Sequence, residues 1–224
     1  MNPWMGILAS ITFILLVIGI SEIASKKQLL NNEDSRKFIH VTVSNWWILA
    51  MVFFDSPYTA MIVPLLFVVV NYISYKKQVF AAMEREGGFE DLGTVYYAVS
   101  LVVLSIWTFA IKQPWIGAVG ILTMGYGDGF AAVIGAKFGK TKLPGIPKKS
   151  FEGSSAMFGF SLIIPLILLM IFTEFSLPVI LSISLMSALL ATILEALTPL
   201  GFDNLSVPIS VSLFMYLVIT WGPF

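Results

Sequence analysis

The sequence predicts an all-α polytopic membrane protein, and three observations support this fold class. Of 224 residues, 58% are hydrophobic and only 12% are charged, a balance well outside the range of soluble domains. Apolar runs of roughly 17 to 25 residues, enough to cross a hydrocarbon core of about 30 Å, recur along the chain. Basic residues collect in alternate connections between those runs. We therefore expect a single integral-membrane domain over residues 1–224.

About eight spans are predicted. They cover residues 4–24, 38–54, 57–75, 94–111, 114–138, 155–173, 177–197 and 205–221. The first has no basic leader before it, which favours a retained span over a cleaved signal peptide. Turns rich in proline separate several of the others, as at residues 55–57 and 112–114.

The basic residues predict the orientation of the bundle. All thirteen Lys and Arg residues except Lys112 fall in the first, third and fifth connections. By the positive-inside rule these connections are cytoplasmic, so both termini lie on the other side. We expect a bacterial cytoplasmic membrane protein whose polar motifs all face the cytoplasm.

Composition and motifs exclude several functions. With no cysteine, the chain has no disulfide, thiolate metal site or cysteine nucleophile. The formal net charge is zero, and we expect no nucleic-acid partner. The glycine pattern GYGDGF lacks the GK[ST] ending of a Walker A motif, which excludes a P-loop kinase.

Asp128 is the first candidate functional residue. It lies about nine residues before the end of its span, roughly 10–15 Å deep. An ionised carboxylate there costs at least a few kcal/mol unless it is paired, so the alternative is a structural partner for a lysine or a helix end. Because Asp128→Asn removes this buried charge and its desolvation cost, we expect the substitution to keep or raise thermal stability. Small neighbours, among them Gly127 and Gly129, would admit a ligand or, alternatively, another helix.

The loop AKFGKTKLPGIPKKSFEGSSAMF follows Asp128 and suggests a phosphate site. Ser150, Ser154 and Ser155 are candidate N-caps of the next helix, whose free N–H groups would face an anion. Lysines would supply charge, and Glu152 could hold a metal ion or orient a lysine. The alternative is a loop that sets topology and binds anionic lipid. A phosphate role predicts a strong effect of Lys149→Gln and a weak effect of Lys142→Gln.

Three further clusters lie on the same side. Arg36, Lys37 and His40 occur in SRKFIHV, with Arg36 and His40 one helical turn apart. Glu195, Asp203 and Asn204 surround a Pro/Gly turn, where their oxygens could ligate Mg²⁺, although turn chemistry alone also explains Asn204. The third cluster comprises Glu84, Glu86, Glu90 and Asp91, which we interpret as a solvated face before a helix that starts at Gly93 and Thr94.

Four motifs in order resemble one known family. In chain order they are RKFIH, GTVYY, GDGFAAVIGAKFG with KKSFEG, and FDNLSVP. Together they resemble the motifs of the polyprenol kinases, the CTP-dependent lipid kinases that include dolichol, phytol and diacylglycerol kinases. The likeness covers residues 36–208. The central block is also similar to phosphatidate cytidylyltransferase, but FDNLSVP stands where that family has a glycine-rich Asp-Arg-x-Asp-Ser segment. The departure favours the kinases.

The resemblance implies CTP as donor, Mg²⁺ or another divalent cation, and a membrane lipid alcohol as acceptor. It implies that Asp128 and Asp203 hold the metal with support from Glu152. Arg36, Lys37 and His40 would approach the transferred phosphoryl group or the lipid hydroxyl, with His40 or an aspartate as general base. The residues implied to contact the nucleotide are Lys37, Gly127, Gly129, Lys137, Gly139, Lys148, Lys149, Ser150, Glu152, Gly153 and Asn204.

The lipid would arrive laterally, since its tail leaves the bilayer only at about 0.8 kcal/mol per CH₂. We expect Trp46, Trp47, Tyr96 and Tyr97 to anchor at the membrane interface, or alternatively to line the lipid path. A homodimer is possible. The alternatives are a cytidylyltransferase-like CTP:lipid-phosphate transferase and, from another class, a transporter in which Asp128 and Glu195 carry ions.

Overall fold

The computed structural model describes residues 2–77 and 92–222, and helices dominate both segments. The elements are α1 (Pro3–Lys26), α2 (Asn32–Ser44), α3 (Trp46–Phe53), α4 (Pro57–Ala60), α5 (Ile62–Lys77), α6 (Gly93–Ala110), α7 (Pro114–Phe138), β1 (Lys142–Leu143), β2 (Ile146–Ser150), α8 (Phe151–Phe172), α9 (Leu177–Leu197) and α10 (Asp203–Trp221). Within the described residues, seven helices are long and apolar enough to cross a membrane, counting Pro57–Lys77 as one. The predicted all-α polytopic bundle is confirmed.

The second predicted span is divided into α2 and α3 at Asn45. The Asn45 side chain donates to the carbonyls of Val41, at 3.1 Å, and Thr42, at 3.3 Å. Such side-chain bonds compete with the helical backbone pattern and favour a break. Tyr126 donates to Asn45 Oδ1 at 3.0 Å, which ties the break to α7.

Helix α7 is the centre of the bundle, and small residues let other helices approach it. It contacts α2, α3, α6, α8 and α10. Gly120 lies against the Pro208 carbonyl in α10, and Gly125 lies against Ser44 in α2, so that a Cβ on either glycine would collide. Helices in lipid associate through such close packing, because there is no hydrophobic gain between them.

The tryptophans of α3 belong to this core. Trp46 and Trp47 are 1% and 0% exposed, and the Trp47 indole donates to the Pro114 carbonyl at 2.8 Å. The expectation that they anchor at the interface is therefore wrong. Tyr97 is also buried.

A short hairpin replaces the expected loop between α7 and α8. Strands β1 and β2 pair antiparallel, with Leu143 opposite Ile146. The two residues between them are Pro144 and Gly145, and Gly145 has φ of +77°. Proline followed by a glycine at positive φ is the signature of a type II turn. The prolines and glycine that suggested a loop therefore fold the chain back on itself.

Candidate active site

One cavity of about 950 Å³ gathers residues from most of the predicted clusters. Its wall includes Arg36, Lys37 and His40 of α2, Asp128 of α7, Lys148 and Lys149 of β2, Ser150 and Gly153 around the start of α8, and Asp203 and Asn204 of α10. The α7–α8 hairpin, the end of α9 and the start of α10 therefore meet at one end of the bundle. Residues far apart in sequence form a single site.

Three buried carboxylates form the centre of this site. Asp128, Glu195 and Asp203 each present an oxygen within 4.8 Å of the other two. They are 8%, 2% and 7% exposed. Three acidic groups this close repel one another strongly unless cations balance them. Oxygen donors of this kind suit a hard divalent cation such as Mg²⁺.

Two lysines balance the carboxylates. Lys37 Nζ donates to Asp128 Oδ2 at 2.6 Å. Lys149 Nζ donates to Glu195 Oε1 and lies 3.9 Å from Asp203 Oδ2. Burial lowers the pKa of Lys149, but the attraction of Glu195, followed by Asp128 and Asp203, outweighs it and leaves the pKa raised. Lys149 therefore stays protonated across the neutral range.

These pairs reverse one expectation for Asp128. The sequence predicted that Asp128→Asn would keep or raise stability, because an unpaired buried carboxylate would be removed. Asp128 is paired with Lys37, which is itself only 8% exposed. Removing one member of a buried pair typically costs about 3–5 kcal/mol, since the other charge stays buried without its partner.

The start of α8 faces the cavity beside the lysines. Ser150 caps the helix, with its Oγ accepting from the Gly153 N–H at 3.2 Å, as predicted. Ser154 also lines the cavity, and its buried Oγ has no hydrogen-bond partner among the described residues. Lys148 and Lys142 are exposed and line the same wall. A helix start with nearby lysines and a hydroxyl is suited to an anion. Because Lys142 shares the wall, it is not the distant control that the sequence suggested.

Helix α2 contributes the opposite wall. Arg36 Nη2 donates to Glu33 Oε1 at 2.6 Å. His40 Nε2 is 4.0 Å from Asp128 Oδ2, and the His40 ring lies against that of Tyr97 with 4.3 Å between centroids. The backbone of Met124 also lies close to the ring. His40 is thereby held beside the carboxylates.

Other predicted residues have different contacts. The Glu152 carboxylate accepts from the backbone N–H groups of Lys140 and Thr141, each at 3.2 Å, so it ties the hairpin to α8 and lies outside the carboxylate cluster. A Cβ on Gly127 would meet Met157, and one on Gly129 would meet Val41, which are helix-packing contacts.

Gly139 and Lys137 lie at the end of α7. Gly139 abuts Ser150 across the α7–α8 junction, where a Cβ would lie 2.7 Å from Ser150 Oγ. Lys137 is exposed at the end of α7. The cluster Glu84, Glu86, Glu90 and Asp91 lies outside the described residues.

Sequence reasoning missed part of the site. Glu195 was a candidate Mg²⁺ ligand at the Pro/Gly turn, but the metal set implied by the resemblance contained Glu152 and left Glu195 out. Its isolation in the run SALLATILEAL was the available signal. Asn71 also lines the cavity and was not predicted, and an amide in an apolar span was the available hint. Tyr97 lines the cavity too, in agreement with the alternative that placed it along the lipid path.

The fold and this cluster define a class: polytopic membrane proteins with a buried carboxylate–lysine site suited to phosphate and a divalent cation. The chain is 32% identical to phytol kinase 1 of Arabidopsis thaliana chloroplasts, over 88% of this chain and 70% of the relative. It is 26% identical to the phytol kinase of Synechocystis sp., over 94% and 90%. It is 30% identical to a probable chloroplastic phytol kinase of Triticum aestivum, over 87% and 70%. No protein-family model matches the chain, and no solved structure does.

The chain belongs to the polyprenol and phytol kinase family of membrane lipid kinases. It is accordingly a phosphotransferase that acts on the hydroxyl of a lipid alcohol and requires a nucleotide donor and a divalent metal. The three relatives are named as kinases, which favours kinase activity over the cytidylyltransferase and transporter alternatives.

Proposed function

We propose that this kinase transfers the γ-phosphoryl group of CTP to phytol or a similar isoprenoid alcohol, with Mg²⁺, at the cytoplasmic face of the membrane. The observation that carries the proposal is the cavity in which Asp128, Glu195 and Asp203 meet Lys37 and Lys149. The isoprenoid acceptor is supported by the names of the relatives, which are phytol kinases.

CTP as donor is supported by the motif that spans α7, the hairpin and α8. GDGFAAVIGAKFG with KKSFEG is similar to the blocks of both polyprenol kinases and phosphatidate cytidylyltransferases, which share CTP. In the structure the two halves of this motif lie together. A Cβ added at position 153 would lie 2.9 Å from the Ala131 carbonyl oxygen. Only glycine therefore permits this close approach of α8 to α7.

The cation would be held by Asp128, Glu195 and Asp203. Glu195 replaces Glu152 in the predicted set, because Glu152 is engaged by the hairpin backbone. Glu195 Oε2 is buried without a hydrogen-bond partner among the described residues, so it is available to coordinate a cation. When bound, the cation would neutralise charge on the nucleotide phosphates.

The remaining charged residues would position the phosphates. Lys149 and Lys148 lie on β2, directly before the start of α8 and Ser154. An ammonium group carries three donors, so Lys149 can bind a phosphate oxygen as well as a carboxylate. Lys37 and Arg36 face the site from α2. Phosphoryl transfer depends on such positioning and on balance of the developing charge.

His40 would act as the general base. The alcohol O–H bond breaks and its proton moves to Nε2, while the alcohol oxygen bonds the γ-phosphorus and the bond to the leaving nucleoside diphosphate breaks. Nε2 has no hydrogen-bond partner among the described residues and lies near Asp128, which would stabilise the resulting imidazolium.

Transfer of label tests the proposal. Purified protein in liposomes is given γ-labelled CTP, ATP, GTP or UTP with phytol, geranylgeraniol or diacylglycerol. We expect label in the isoprenoid alcohol with CTP and loss of transfer when the divalent cation is chelated. Preference for another nucleotide would contradict CTP as the donor. Preference for diacylglycerol would contradict an isoprenoid alcohol as the acceptor.

A further inference from the structure

Three polar atoms in the cavity wall lack hydrogen-bond partners among the described residues. They are the Tyr97 hydroxyl, Asn71 Oδ1 and His40 Nε2, from α6, α5 and α2. Tyr97 and Asn71 are each only 6% exposed. Buried polar groups are normally paired, so these three atoms around one cavity are available to hydrogen-bond a polar ligand.

The side chains that carry these atoms are held in place. Asn71 Nδ2 donates to the Thr94 carbonyl at 3.0 Å, which fixes the amide and leaves Oδ1 as its free acceptor. Tyr97 packs its ring against His40. His40 Nε2 in turn lies 4.0 Å from Asp128 Oδ2, so His40 and Tyr97 lie next to the carboxylate cluster. Asn71 lines the same cavity.

The same helices supply the apolar part of the cavity. Its apolar lining residues include Ile18 of α1, Ile39 and Val43 of α2, Phe67 of α5, and Ala98 and Leu101 of α6. Phe67 is one turn from Asn71, and Leu101 is one turn from Tyr97, so each polar residue shares a helix face with an apolar one. A ligand here would be polar at the carboxylate end and hydrocarbon beyond it.

We propose that Tyr97, Asn71 and His40 form the acceptor subsite, where the hydroxyl of the lipid alcohol binds before transfer. A hydroxyl has one donor and two acceptor sites, so it can satisfy two of the three atoms at once. Tyr97 donates to the alcohol oxygen. The alcohol hydroxyl donates its hydrogen bond to Asn71 Oδ1 or to His40 Nε2. The hydrogen bond to His40 is the one that precedes removal of the proton. The hydrocarbon chain lies along the apolar side chains of α1, α2, α5 and α6. This inference rests on the proposed isoprenoid acceptor and places it in the cavity.

Tyr97→Phe tests the subsite, with Tyr96→Phe as the matched control. Tyr97→Phe removes one oxygen that makes no hydrogen bond within residues 2–77 and 92–222, so thermal stability should not fall. Tyr96 packs against Phe202 at 5.5 Å between centroids and is not part of the subsite. Loss of one neutral hydrogen bond corresponds to about a 3–10-fold rise in KM for the lipid alcohol, with KM for the nucleotide unchanged. An unchanged KM for the alcohol in Tyr97→Phe, or an equal rise in Tyr96→Phe, would overturn the assignment.

A binding measurement makes the test independent of turnover. A geranylgeraniol analogue with a photoreactive diazirine in its chain is crosslinked to the protein without nucleotide, and the labelled peptides are mapped. We expect label on α5 and α6, competed by unlabelled alcohol, reduced in Tyr97→Phe and retained in Tyr96→Phe. Glu195→Gln should still be labelled, so a failure of the proposed metal cluster leaves this result intact. Competed label confined to α8 and α9 would contradict the subsite.

Discussion

Glu195 carries the most specific prediction at the scale of single residues. Glu195→Gln removes one carboxylate of the cluster with little change in volume. Changes to the outer partners of a metal site already cost about 10–100-fold in affinity or activity, so loss of a ligand should cost at least as much. Kinase turnover measured across a Mg²⁺ titration should show this loss. Glu174→Gln, an exposed carboxylate at the other end of the bundle, should behave as the wild type.

The Lys37–Asp128 pair predicts non-additive stability. Asp128→Asn and Lys37→Gln should each lower stability by about 3–5 kcal/mol, because each leaves a buried charge without its partner. The double variant removes both charges and should be more stable than the sum of the two losses predicts. Thermal unfolding of the four proteins in detergent measures the coupling. Strict additivity would show that the two groups do not interact.

Lys149 should be far more important for nucleotide binding than an exposed lysine. Lys149→Gln should raise KM for the nucleotide at least about tenfold, since a charge-assisted bond contributes about 1.5–3 kcal/mol. Lys26→Gln is the control, because Lys26 is 79% exposed and lies beside Glu22. A lipid-anchoring role predicts equal losses that vary with the anionic lipid content of the liposomes.

Asp128 was predictable because an ionisable residue is costly inside a membrane segment. Asp203 and the lysines were predictable because a carboxylate in a turn suits Mg²⁺ and lysines in a loop suit phosphate. Sequence alone could not join Glu195 to Asp128, since 67 positions separate them and only the packing of the helices brings them together. Glu152 was misleading for a related reason. Because Glu152 is close in sequence to the lysines, it was expected to bind the same ligand. Its carboxylate instead accepts hydrogen bonds from the backbone N–H groups of Lys140 and Thr141.

At the scale of elements, the junction of α7 and α8 predicts different effects of glycine substitutions within one helix. Gly153→Ala places a Cβ 2.9 Å from the Ala131 carbonyl, so the helices must separate. Both melting temperature and turnover should fall. Gly159→Ala, in the same helix, meets nothing within 4 Å and should be neutral or stabilising by up to about 1 kcal/mol. Equal melting temperatures for the two variants would refute this account of the junction.

Helix positions were largely predictable, since span length and proline turns define them. Helices α7 and α9 have the predicted bounds, and α8 begins four residues earlier because Ser150 is the effective cap. The break at Asn45 was not predicted. It comes from hydrogen bonds of the Asn45 side chain to the preceding carbonyls, and its attachment to α7 depends on Tyr126 from a distant helix. The hairpin was hidden by its brevity, since two residues of β1 give no periodic signal.

For the whole molecule, orientation is the testable property. Single cysteines at Lys27 and Lys140, both exposed, should react with an impermeant thiol reagent only from the cytoplasmic side. A cysteine at Lys112 should react only from the other side. Labelling in right-side-out and inverted vesicles decides the orientation, and outside reactivity at Lys140 would reverse it.

The pairing of Lys149 with Glu195 makes that lysine and a divalent cation competitors for one carboxylate. A free cation must displace an ammonium group, whereas a cation that arrives with phosphates offers the ammonium a new partner. The two ligands should therefore bind cooperatively. By reciprocity, any factor by which the nucleotide raises affinity for the cation is the factor by which the cation raises affinity for the nucleotide. An ion pair that stabilises the resting protein thus also disfavours occupancy by metal alone.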